Sequence, residues 1–356
     1  MDSFILLGQG IRYVFSSLRR KMVGTKRFSG SAKAICQQIV KACWNGRYFE
    51  NSLGNYREFW TRDFGFSVDA LLALGYRKEV LQTLAYALEK FAKHGRIETT
   101  ITPRGRPVSF PALPSPDSVA LLLHSLKQAK ATALVKNYKP FLEAELKRMS
   151  TLVERGLVRE DVQLSGMRDY AIRHSSCYDN VMMLFMANLA HALHVRNAPA
   201  MDRKRFLKTF WNGEYFRDDL QRNHFTADAN LLPFWTGVVD KKLFARVHPR
   251  LAILACPFPM KYTASESHKR MRLPELFVPN WEHDCIWSNL GMLTIATIAK
   301  FNRSFARDVA KVLGKVVERD RTLYEVFTPD GKQPYRSWAY FADEGMLWAA
   351  VLAANL

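Results

Sequence analysis

Helical periodicity in this chain is interrupted by connections that alternate between long and short. Apolar residues recur at helical spacing over residues 31–43, 65–74, 78–93, 117–129, 139–154, 179–193, 200–210, 227–237, 240–252, 284–299 and 302–317, with a last run ending near Ala354. That makes twelve helices after an N-terminal segment. Polar, Gly- and Pro-containing stretches at 44–63, 95–116, 156–177, 212–226, 257–283 and 318–338 separate alternate pairs, and the other joins are tight. Helices joined by a tight turn run antiparallel, so every long loop must emerge at the same end. The expectation is an all-α (α/α)6 toroid of six helical hairpins with its long loops on one face. A ring fits this pattern better than an open superhelix of stacked hairpins. Residues 1–29 read as an N-terminal helical extension and 30–356 as a single (α/α)6 domain.

An internal echo accompanies the hairpins. Trp44-Asn45-Gly46-Arg47-Tyr48-Phe49 and Trp211-Asn212-Gly213-Glu214-Tyr215-Phe216 fall in equivalent long loops. Asn-Gly between aromatic residues favours a small β-hairpin, and a shared turn recipe is enough to explain the likeness.

Composition bounds the function. With 48% hydrophobic residues and 356 positions, a large core is available. The five cysteines are odd in number, widely spaced and without a C-x-x-C pair, which argues against a disulfide framework or structural zinc and for a reducing, cytoplasmic setting. The N-terminal run Phe4 to Leu7 is too short for a secretory h-region, and no stretch approaches the roughly 20 apolar residues that span a bilayer. A basic amphipathic helix on a membrane surface is a secondary reading of that segment, behind a helix packed across the body. Net charge is +19, but the basic residues are spread along helical faces and no nucleic-acid-binding signature accompanies them. No nucleic-acid partner is expected.

The unusual polar residues sit in the long loops. Glycoside hydrolysis requires two carboxyl groups, one protonated and one ionised, and hydroxyl-rich ligands suit charged residues set among aromatics. Arg62-Asp63 lies within Tyr56-Arg57-Glu58-Phe59-Trp60-Thr61-Arg62-Asp63-Phe64, a segment that equally suits a helix N-terminus. Asp117, Asp228 and Asp284 stand at expected helix starts, where capping is the default role. Asp169 and Glu325 lie inside loops with aromatic neighbours, so loops from opposite sides of a ring can supply the pair across a central pocket.

These motifs resemble the six-hairpin glycosidase superfamily, which includes glucoamylases, trehalases, processing α-glucosidases, debranching α-glucosidases and neutral invertases. Trp60-Thr61-Arg62-Asp63 is similar to the glucoamylase motif whose Arg-Asp pair holds the terminal sugar, which implies binding roles for Trp60, Arg62 and Asp63. Ser165-Gly166-Met167-Arg168-Asp169-Tyr170 resembles the acid-bearing segment of processing α-glucosidases and trehalases, with one residue more than the trehalase form. The resemblance implies Asp169 as general acid with Arg168 and Arg173 near the substrate. Glu325, ahead of Arg336-Ser337-Trp338, resembles the last-loop glutamate that serves as general base. Pro116-Asp117-Ser118 resembles the acid-bearing segment of invertases, so Asp117 is the alternative acid. Trp281, Trp287, Arg336 and Trp338 complete the expected substrate-binding set.

What the resemblance implies is an exo-acting, inverting hydrolase of a terminal α-linked sugar, most often glucose, with no cofactor. The expected partner is an oligosaccharide or small glycoside, and the basic charge leaves room for an acidic aglycone. A toroidal scaffold that binds an anionic partner without chemistry is one alternative; convergence of positions 63, 169 and 325 in one pocket would count against it. A sugar epimerase of similar architecture is another, and it would need paired histidines. The pair His191-x-x-His194 lacks an accompanying carboxylate, so no metal site is expected there.

Overall fold

Two kinds of helix, distinguished by how much of their circumference is buried, build the structure. The computed structural model describes residues 2–264 and 272–356. After α1 (Asp2–Val23) come α2 (Ala32–Cys43), α3 (Thr61–Ala73), α4 (Arg77–His94), α5 (Pro116–Gln128), α6 (Thr132–Asn137), α7 (Lys139–Ser150), α8 (Cys177–Ala192), α9 (Arg203–Phe210), α10 (Ala227–Trp235), α11 (Lys241–Leu254), α12 (Ser288–Ala299), α13 (Arg303–Asp320) and α14 (Ala349–Asn355). Helix α4 buries one stripe, formed by Val80, Thr83, Leu84, Ala87, Leu88 and Phe91, and α13 does the same with Ala306, Ala310, Leu313 and Val317. In α10 every residue is buried, and in α5 the run from Pro116 to Leu126 is continuous. A one-sided stripe belongs to an outer helix, and burial all round belongs to an inner one.

The inner helices form a closed ring. α3 packs on α5, α5 on α8, α8 on α10, α10 on α12, α12 on α14, and α14 returns to α3. This last contact excludes an open superhelix. Outside it, α2 packs on α13 and α14, α4 on α3 and α5, α7 on α5, α9 on α8, α11 on α10, and α13 on α12. Side-chain caps fix several helix starts: Ser31 accepts from Ala34 N, Ser176 from Asp179 N, Asp202 from Arg205 N and Asn302 from Phe305 N.

Some boundaries differ from the periodicity. α6 is a short helix inside what reads as the join between two longer ones. α12 begins at Ser288, so Asp284 stands in the turn before it. α14 has only seven residues, because 338–348 forms turns and bridges that feed the loop face.

The echoed turns are alike in detail. Trp44 bridges Phe49 and Trp211 bridges Phe216. The Asn45 carboxamide oxygen accepts from Arg47 N and Tyr48 N, as that of Asn212 does from Glu214 N and Tyr215 N. Gly46 and Gly213 follow at φ +90° and +102°, where a side chain would be strained.

At the loop face, short antiparallel pairings stitch one loop to another. Phe59–Trp60 pairs with Thr100–Ile101, and Ile286–Trp287 with Val326–Phe327. Across this face lies α1, docked by its polar side: Tyr13 and Arg12 donate to Glu58, and Arg20 donates to the carbonyls of Phe341 and Ala342 and pairs with Glu344. Among the described residues no helix is long and apolar enough to cross a membrane.

Candidate active site

The ring fixes where each loop can deliver a side chain. Asp63 sits in the first turn of α3, Asp169 in the loop before α8, Glu282 in the loop before α12 and Glu325 in the loop before α14. In the inner order α3-α5-α8-α10-α12-α14, α8 and α14 are three places apart in a ring of six. Asp169 and Glu325 therefore come from opposite sides. All four carboxylates, with Arg62, line one cavity of about 220 Å³. Its aromatic wall includes Tyr56, Trp60, Trp281, Trp287, Tyr340 and Trp348, and α1 closes one side with Gly10, Tyr13 and Val14.

Arg62 is held at three points. Its Nε donates to Asp117 at 2.6 Å, one terminal nitrogen to Asp169 at 3.4 Å and the other to Ser165 at 3.3 Å. Asp117 does not line the cavity. It is fully buried behind Arg62, where it also accepts from Tyr178 Oη and Ser118 N at 2.7 Å and from Ser115 Oγ at 2.5 Å.

Asp169 opens 27% of its side-chain surface to its surroundings. Burial pushes its carboxyl up to about 7, with Arg62 opposing and Glu282 reinforcing the rise. Glu325 is more enclosed and is pushed up to about 8, first by burial and then by the nearby Asp343 charge. Tyr340 Oη donates to Glu325 Oε2 at 2.5 Å and lies 2.9 Å from Tyr56 Oη, so the carboxylate is anchored through a phenol chain. Asp63 is pushed up to about 6 by burial against the pull of Arg62.

The stacked wall explains why Trp281 and Trp287 are so placed. Their rings stack at 5.2 Å, Tyr340 stacks on Trp281 at 4.7 Å, and Trp287 Nε1 donates to the Trp281 carbonyl at 2.7 Å. Glu282, beside Trp281, accepts from Tyr170 N and Ala171 N at 3.1 Å and so grips the turn just after Asp169. Burial pushes Glu282 up to about 7.

Of the residues singled out from the sequence, Trp60, Arg62, Asp63, Asp169, Trp281, Trp287 and Glu325 share the cavity. Arg168 and Arg173 do not. The loop turns between Arg168 and Asp169, and both arginines face a second, buried ionic cluster. Arg173 pairs with Asp228 at 2.7 Å and Asp218 at 3.4 Å, and Arg168 lies 3.7 Å from Asp218. Arg336 is exposed and stacks over Phe341. Trp338 stands at the rim, 68% exposed, with its ring 5.2 Å from that of Phe277, which lines the cavity. Glu282, Tyr340, Tyr56 and Trp348 are among the lining residues the sequence reading did not select. The loop position and the Trp281 neighbour were a signal for Glu282, whereas Tyr340 and Trp348 reach the cavity through the irregular 338–348 segment.

Although the chain carries a net charge of +19, among the described residues lining this cavity Arg62 is the single cation, against four carboxylates, and none is a histidine. Among the described residues no group of three or more His, Cys, Asp or Glu is arranged to hold a metal ion.

No family model and no curated protein matches the sequence. Solved structures do match. A mannosylglycerate hydrolase from Thermus thermophilus, of glycoside hydrolase family GH63, superposes with a TM-score of 0.57 at 13% identity over 91% of this chain and 99% of its own. A rhamnosidase from Klebsiella oxytoca gives a TM-score of 0.63 at 14% identity over 93% of this chain and 65% of its own. A further glycosidase gives 0.62 at 12% identity, covering 91% and 94%. The chain has the (α/α)6 glycosidase fold. At such identities the likeness extends to the architecture, and chemistry has to be argued from the side chains of this (α/α)6 toroid.

Proposed function

We propose that the protein is a glycoside hydrolase that removes a terminal α-linked sugar, glucose first among candidates, by a single displacement with inversion. The observation that carries this is the convergence of two elevated carboxyls, Asp169 and Glu325, from opposite sides of the ring on one aromatic-walled cavity. In such a displacement one carboxyl protonates the departing oxygen while the other activates water on the far face of the sugar, which asks for a separation of roughly 6.5–9.5 Å. Asp169 is assigned as general acid and Glu325 as general base. Asp63 and Arg62 hold the hydroxyls of the terminal ring, and the indoles of Trp60, Trp281 and Trp287 cover its C–H faces. Asp117 orients Arg62. The convergence of these groups also disfavours an inert scaffold, and the described lining residues supply no paired histidines for an epimerase.

One observation favours a second reading with the two roles exchanged. Glu325, at about 8, holds its proton more firmly than Asp169, at about 7 and beside Arg62. Leaving-group dependence separates the two. With Asp169 as acid, Asp169→Asn loses about 10²–10⁴ in rate on an alkyl glycoside and far less on a nitrophenyl glycoside, whose leaving group needs no proton. Glu325→Gln then loses both activities equally. The opposite pattern assigns the acid role to Glu325, and normal activity in both variants overturns the proposal. Because the cavity itself is acidic, a neutral sugar is the preferred occupant, and an acidic aglycone would have to be met outside it. Hydrolysis of trehalose, maltose, isomaltose, sucrose and glucosylglycerate, compared side by side, identifies the linkage.

A further inference from the structure

Helix α1 is amphipathic in the inverse sense to a packed surface helix. Its polar side carries the contacts to the body: Arg12, Tyr13, Ser17 and Arg20 bond to Glu58, Asn55 and the 341–344 segment. Its other side presents Ile11, Phe15, Leu18 and Met22, spaced i, i+4, i+7, i+11, with Phe15 67% and Met22 81% exposed. A helix held by ion pairs, with its apolar stripe turned outward, gains nothing from that stripe in water. A second exposed apolar group, Leu273, Leu276, Phe277 and Trp338, reaches the same cavity through Phe277, which lines it and whose ring lies 5.2 Å from that of Trp338. The two are joined at the mouth, since Val14 and Phe277 both line the cavity and Lys21 Nζ donates to the carbonyls of Ser337 and Trp338.

From Gly8 to Gly30 the sequence contains six Lys and Arg residues and no acidic one, and Arg19, Lys26, Arg27 and Arg336 are exposed. An apolar stripe flanked by cations, with a tryptophan at its edge, is the pattern of helices that lie in the plane of a lipid interface. A second copy of this chain would bring the same positive charge and be repelled.

We propose that the outer face of α1 and the rim around Trp338 form a docking surface for an anionic lipid membrane, which turns the mouth of the cavity towards the headgroups. The proposal stands independently of the hydrolase reading. The test is co-sedimentation of the full chain with vesicles of phosphatidylcholine alone and of phosphatidylcholine containing phosphatidylserine. The wild-type chain is expected to sediment with the phosphatidylserine vesicles, less so as salt is raised, and to stay in solution with phosphatidylcholine alone. Phe15→Ser/Leu18→Ser, with circular dichroism unchanged because both side chains face solvent, should partition about tenfold or more weakly, since each loses its apolar insertion. Trp338→Ser should weaken binding and abolish a blue shift of tryptophan emission on vesicle addition. A wild-type chain that stays in solution with phosphatidylserine vesicles would overturn the proposal. So would a double variant that sediments like the wild type, or self-association through Phe15 in place of lipid binding.

Discussion

Arg62 illustrates how one side chain ties together the groups around the cavity. Asp117, Ser165 and Asp169 share its guanidinium, so its position depends on a carboxylate that never meets the cavity. Asp117→Ala leaves that buried cation short of its closest partner. Breaking a buried pair costs about 3–5 kcal/mol, and a lowered melting temperature together with a raised KM is expected; an unchanged KM would contradict the orienting role. The pH profile follows from the two elevated carboxyls, because the productive state has one protonated and one ionised. With the two carboxyls pushed up to about 7 and about 8, the pair carries a single proton between those values, whichever carboxyl holds it; below that window both are protonated and above it neither is, and the rate falls on either side. A bell centred between these values in kcat/KM is expected, and a profile flat from pH 5 to 9 is excluded. Arg62, Asp63, Asp169 and Glu325 could be singled out in the sequence because they sit in short motifs in three of the long loops, and the structure brings them to one cavity. Arg168 and Arg173 were misplaced for a physical reason: one residue of backbone turn separates a side chain facing the cavity from one facing the Asp218 and Asp228 cluster.

At the scale of elements, the site depends on how closely α3 approaches α5. A Cβ added at Gly65, three residues after Arg62, would stand 2.5 Å from Leu121 Cβ, which cannot move aside as a flexible chain end would. Gly65→Ala is therefore expected to cost about 1–3 kcal/mol by overpacking and to reduce activity by displacing Arg62, measured as a lower melting temperature and a lower kcat/KM. A variant as stable and active as the wild type would show that the two helices have slack. The helices and the alternation of loops were legible in the helical period, whereas which helices are inner shows only in the structure, as burial all round in α5 and α10 against one stripe in α4 and α13. Which side of α1 meets the body was not legible either: the sequence suggested a helix packed across the body, and hydrogen bonds and an ion pair to residues some 320 positions away set its polar side inward. The brevity of α14 escaped for a similar reason, since the 338–348 segment has helical composition but is held by bridges such as Arg336 with Phe341.

The whole molecule carries its buried carboxyls as a cost to stability. Burial pushes Asp63, Asp169, Glu282, Glu344 and Glu325 to between about 6 and about 8, above the usual carboxylate range. Between an unfolded pKa of about 4 and these folded values the native state binds more protons, so stability falls as pH rises through that window and levels off above it. The melting temperature should be higher at pH 5.5 than at pH 8, and Glu325→Gln, which removes a charge forced into an enclosed site, should melt above the wild type at pH 8. A wild-type chain more stable at pH 8 would contradict this electrostatic picture. Ring closure brings Asp169 and Glu325 to the cavity from opposite sides, and in the proposed single displacement Glu325 activates a water on the face the leaving group does not occupy. Proton NMR of the first product formed from an α-glycoside substrate should show the β-anomer, appearing before mutarotation. An α-anomer formed first would show retention and contradict the assignment of the pair.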